Sequence, residues 1–69
     1  MTKSELQDLK GMLAASGCLP SYQEDLIDDA IYSVQHGSEY RARQALTTMM
    51  RNYQNEGNSE AARLVDRVL

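Results

Sequence analysis

Apolar residues recur along this chain at helical spacing, in four blocks punctuated by glycine. In the first block Leu6, Leu9 and Leu13 fall at i, i+3 and i+7, one face of a helix. Thr2 and Glu5 stand in front of them at capping-box spacing. The second block carries Leu26, Ile27, Ala30, Ile31 and Val34, with Ser21 and Glu24 as a second possible capping box. The third carries Ala42, Ala45, Leu46, Met49, Met50 and Tyr53, with Ser38 as N-cap. The fourth carries Ala61, Leu64, Val65, Val68 and Leu69, with Asn58 or Ser59 as its cap. Strand-like alternation is absent. The pattern predicts an all-α fold, with helices over 3–16, 21–36, 38–56 and 59–69.

Gly17, Gly37 and Gly57 recur at equal spacing, each at the end of an apolar block. Glycine accepts the left-handed conformation that terminates helices. Each unit is therefore one helix plus one tight turn, and short turns make successive helices antiparallel neighbours. The expected architecture is a compact three- or four-helix antiparallel bundle, one domain over 1–69. The first helix has the narrowest stripe. Within it, Gly11 and Ala15 suggest a small-residue surface that another helix could approach closely.

With 69 residues, the chain is long enough for one small domain and too short for a deep cleft inside its own core. It has no Trp and no Phe, so the core must come from aliphatic residues, Met and some of the four Tyr. The net charge of −3 opposes broad binding to a phosphate backbone. Cys18 is the sole cysteine, so no internal disulfide forms, which fits a reducing cytoplasm. The run "MLAA" near the N-terminus is far too short to span a membrane.

The last two blocks contain Tyr53, Gly57 and Ala62 in the order Y-x-x-x-G-x-x-x-x-A. This resembles the helix–turn–helix of a tetratricopeptide repeat (TPR), over about the last third of the chain. The sequence departs from that pattern at Asp66, where the family carries a large residue. The stretch "DLIDDAIYSVQHGSEYRARQALTTMM" is also similar to the helical hairpins of MIT-type domains, which precede the ATPase domain of some AAA ATPases. Both resemblances imply a docking module that contacts other proteins.

Candidate chemistry is sparse. His36 and Cys18 are the only histidine and cysteine, without the ligand spacing that a metal site needs. His36 shares a helix face with Asp29 and Tyr32, but a histidine in a last turn is explained by the helix dipole alone. Cys18 lacks a base to activate it and reads as a small buried thiol in a link. Asp28 and Asp29 are adjacent, about 100° apart on a helix, and read as N-terminal charges rather than an acid–base pair. The glycines are isolated, so they form no phosphate loop. A non-enzymatic protein without a cofactor or metal is expected.

The polar faces carry the functional expectation. On the second helix Asp25, Asp29, Tyr32 and His36 lie opposite the apolar stripe, and Tyr40 opens the third helix. Exposed tyrosine favours binding surfaces, because its ring buries area while its hydroxyl keeps a partner. These five residues are the expected contact set for a protein partner with a basic patch. Arg41, Gln44, Thr48 and Arg51, on the third helix, form the alternative, a nucleic-acid face. The acidic second helix disfavours it. Two further alternatives are an acidic inhibitor imitating nucleic acid through Glu24, Asp25, Asp28 and Asp29, and a homo-oligomer. Methionines such as Met49 and Met50 more often fill core gaps, and these two would supply a dimer seam only if the fourth helix does not cover both.

Overall fold

The backbone reverses direction three times by the same device. In a computed structural model that describes all residues, Met1–Leu69, helix α1 spans Lys3–Ala15, α2 Ser21–Gln35, α3 Glu39–Asn55 and α4 Ser59–Asp66. After α1, the Gly17 amide donates to the Ala14 carbonyl and the Cys18 amide to the Leu13 carbonyl. After α2, Gly37 donates to Val34 and Ser38 to Ser33. After α3, Gly57 donates to Gln54 and Asn58 to Tyr53. Each pair is a Schellman motif, which satisfies two carbonyls that the helix end would otherwise orphan. The three glycines have φ of 70°, 79° and 76°, the left-handed region that the motif requires.

Four helices result, packed antiparallel. Each packs on its neighbours in the chain, and α4 returns to α1 to close the ring. The core comprises Leu6, Leu9 and Leu13 of α1, Ile27 and Ala30 of α2, Ala42, Ala45, Leu46, Met49 and Tyr53 of α3, and Ala61, Ala62 and Val65 of α4. The radius of gyration is 10.7 Å. No helix is long and apolar enough to cross a membrane.

The capping box of α1 is formed in both directions, Glu5 N–H to Thr2 Oγ1 at 3.2 Å and Thr2 N–H to Glu5 Oε1 at 2.9 Å. The expected box at Ser21 and Glu24 is not. Pro20 is the N-cap, extended at φ −66° and ψ 165°, and Ser21 is already the first helical residue. The Pro20 carbonyl accepts the amides of Gln23 and Glu24, and no side chain caps this helix. Ser38 does occupy the N-cap of α3, without a side-chain hydrogen bond. Asn58 caps α4 by accepting from the Ala61 amide at 3.1 Å.

The buried stripe of α2 is shifted from the one its apolar residues suggest. Gln23, Ile27, Ala30 and Ser33 are buried, whereas Leu26, Ile31 and Val34 are half-buried against the core. Packed against both α1 and α3, α2 buries one stripe at its centre and uses flanking apolar residues at the seams. Gln23 is tolerated there because both ends of its amide are bonded. Its Nε2 donates to the Met49 carbonyl at 3.2 Å, and its Oε1 accepts from Asn52 Nδ2 at 3.2 Å.

Three further expectations need correction. Gly11 and Ala15 face solvent, and nothing lies within 4 Å of where a Gly11 Cβ would stand, so no helix of the chain packs closely on them. Helix α4 ends at Asp66 rather than 69. The Val68 and Leu69 amides donate three residues back, to Val65 and Asp66, a tightened final turn. Finally, Met49 is fully buried and Met50 half-buried, so α4 and the core cover much of the proposed methionine seam.

Candidate functional site: the α2–α3 face

The two polar faces that the sequence sets apart are one surface. Asp29 of α2 and Arg41 of α3 approach to 3.9 Å across the seam between their helices. Nearer the other end, Asn52 of α3 bonds Gln23 of α2. Asp25, one turn before Asp29 on α2, and Thr48, two turns after Arg41 on α3, lie on the same sides of their helices as those residues. Helical geometry extends the face outward, to Tyr32 and His36 beside Asp29 and to Gln44 and Arg51 beside Thr48. The candidate residues of this face are exposed except the half-buried Asp29, whereas Gln23 is buried and Asn52 half-buried.

The aromatic groups on this face are ordered. Tyr32 and His36, one turn apart, stack with ring centroids 3.9 Å apart and planes 23° from parallel. His36 Nδ1 lies 2.8 Å from the Tyr32 carbonyl. A carbonyl only accepts, so that nitrogen carries the hydrogen and donates. In the neutral ring Nε2 is then left as the acceptor. Tyr40 opens α3, four residues beyond His36 across the Gly37 turn, and its hydroxyl accepts from Gln44 Nε2 at 3.1 Å. The stack and the hydrogen bond restrict the rotamers of these exposed side chains.

Tyr22 belongs to this face and was absent from the expected contact set. It is exposed, and its hydroxyl donates to the Glu56 carboxylate at the end of α3. That bond pushes the phenol above its usual range. Its position seven residues before Asp29, two helical turns, is the signal that places it on the same side.

The electrostatics are more balanced than the row of acids implies. Asp29 sits opposite Arg41, and Asp28 accepts from Lys10 Nζ at 2.7 Å. That bond raises the Lys10 pKa. Asp25 is the acid of the expected contact set that no cation of the chain pairs. On α3 the Thr48 hydroxyl donates to the Gln44 carbonyl and the Gln44 amide to Tyr40, so two of the four candidate base-reading groups are engaged within the helix. No three of the His, Cys, Asp and Glu side chains come together in a way that could hold a metal ion.

Cys18 is half-buried rather than fully buried. Its thiol lies 3.5 Å from the Ser16 carbonyl, and its sulfur accepts from Asn58 Nδ2 at 3.4 Å. No protein-family model matches the chain, no curated protein matches it, and no solved structure matches it.

Proposed function

We propose that the chain is a non-catalytic protein-interaction module that engages its partner through the joined α2–α3 face. The observation that carries this reading is the distribution of exposed large apolar groups. There are four, Met12, Tyr22, Tyr32 and Tyr40, and the three tyrosines all lie on α2 and the start of α3. Tyrosine at the centre of an interface contributes disproportionately to binding. Tyr32 and His36 form the anchor, Tyr40 flanks it, and Asp25 offers an unpaired carboxylate to a cation of the partner's basic patch. The likeness of α3–α4 to a tetratricopeptide hairpin, and of α2–α3 to an MIT hairpin, supports a docking role. In the former, Tyr53 and Ala62 are buried across the Gly57 turn.

The test is capture from the native host lysate by wild type and by an Asp25→Lys, Tyr32→Ala, Tyr40→Ala variant, both checked for helicity by circular dichroism. Asp29 is left in place because its loss would also free Arg41. A protein retained by wild type and lost from the variant supports the reading. Equal recovery by both overturns it. Nuclease-sensitive material lost on Arg41→Ala and Arg51→Ala would replace it with nucleic-acid binding through α3.

A further inference from the structure

We infer that the groove between the end of α1 and α4 is a second docking site, for an acidic peptide segment bearing one apolar anchor. The groove holds a cavity of about 220 Å³ walled by the half-buried Cys18 and Leu64 over the buried Leu13 and Ala61, with Arg63 and Arg67 also lining it. Drug-sized ligands occupy pockets of roughly 300–1,000 Å³. This one suits a single large side chain. Ser16 also lines it, and Met12, one turn earlier on α1, is exposed and extends the apolar surface.

Charge identifies the rest of the occupant. Lys10, Arg41 and Arg43 each stand against a carboxylate of the chain. Arg63 of α4 and Arg67, the C-cap one turn later, are exposed and ion-paired to nothing within the molecule. Glu60 begins the same stripe and leaves it with one net positive charge. In a chain of net charge −3, two adjacent unpaired guanidinium groups beside an apolar cavity are complementary to a carboxylate flanking an apolar side chain. This groove is separate from the α2–α3 face and opposite to it in the charge it selects.

Cys18 supplies the readout. It is the only thiol, it is half-buried, and it lines the cavity, so an anchored peptide must shield it. Short random peptides displayed on phage would be selected on the folded protein, and the winners synthesised. The expected winners pair a large apolar residue with Asp or Glu and slow alkylation of Cys18 by iodoacetamide. Their affinity should fall about tenfold in an Arg63→Ala, Arg67→Ala variant and fall with added salt. Tyr32→Ala should leave it unchanged. The proposal is overturned if no peptide is enriched, if the winners lack acids, if they bind the double variant equally, or if alkylation is not slowed. Loss of binding on Tyr32→Ala would assign the peptides to the α2–α3 face and overturn it equally.

Discussion

The Tyr53 hydroxyl donates to the Cys18 carbonyl at 2.5 Å, tying the last turns of α3 to the link between α1 and α2. Tyr53 is the largest fully buried side chain, and its one polar atom is satisfied by backbone thirty-five residues away in the chain. Burial pushes this phenol up to about 12.

That shift gives the fold an alkaline limit. Below pH about 10 the phenol is protonated whether the chain is folded or not. Between about 10 and 12 the unfolded chain releases the proton while the folded one keeps it, so stability falls as pH rises. Lys10 and Tyr22, both raised, act in the same direction. Tyr53→Phe should cost about 1 kcal/mol at neutral pH. It should also flatten the alkaline decline. Urea denaturation from pH 7 to 12 measures both.

Gln23 is a buried polar group whose amide joins α2 to α3 by two hydrogen bonds. Gln23→Ala should destabilise by about 2 kcal/mol, since it opens a void and strips the Asn52 amide of its partner. Gln23→Met should cost less, because it keeps the volume and the half-buried Asn52 can recruit water. Chemical denaturation of the three proteins ranks them.

Two glycines should respond in opposite directions to the same substitution. Gly37→Ala meets no neighbouring atom, but it forces a Cβ into φ +79°, at a cost of about 1–2 kcal/mol. Gly11→Ala also meets nothing, and it lies in the middle of α1 with ordinary helical φ, so it should stabilise by about 0.5–1 kcal/mol. For a domain this small, 1 kcal/mol moves Tm by roughly 4–8 °C, which calorimetry resolves.

The Asp29–Arg41 pair links α2 to α3 across the proposed face without holding the fold together. Both side chains are substantially exposed, so a double-mutant cycle on stability should return a coupling of about 0.2–1 kcal/mol, smaller in high salt. A coupling well above that range would make the pair structural.

Much of this fold is legible in the sequence, because the apolar period and the terminal glycines act locally. Leu6, Leu9 and Leu13 are buried as their spacing requires, and the three turns fall where the glycines stand. The misreadings arise where tertiary packing outranks local pattern. Ser21 and Glu24 have capping spacing, but Pro20 takes the N-cap and moves Ser21 inside the helix. Gln23 and Ser33 are polar yet buried, because α1 and α3 enclose that side of α2. Among site residues, the exposure of Tyr32 and Tyr40 follows from helical phase. The meeting of Asp29 with Arg41 does not, since it depends on how two helices cross. The cavity beside Arg63 and Arg67 is hidden in the same way, being a property of α1 and α4 together.

The threefold repetition of one turn also bears on how quickly the chain reaches its native state. Each reversal is built from hydrogen bonds spanning three to five residues, and three of the four helix seams join elements consecutive in the chain. Distant segments meet chiefly at the α1–α4 seam and where Tyr53 and Asn58 reach Cys18. Such low contact order belongs to chains that fold on the order of microseconds to milliseconds. Temperature-jump relaxation should find that speed. Amide exchange should find α4, the shortest helix and the one whose docking closes the ring, opening ahead of the rest.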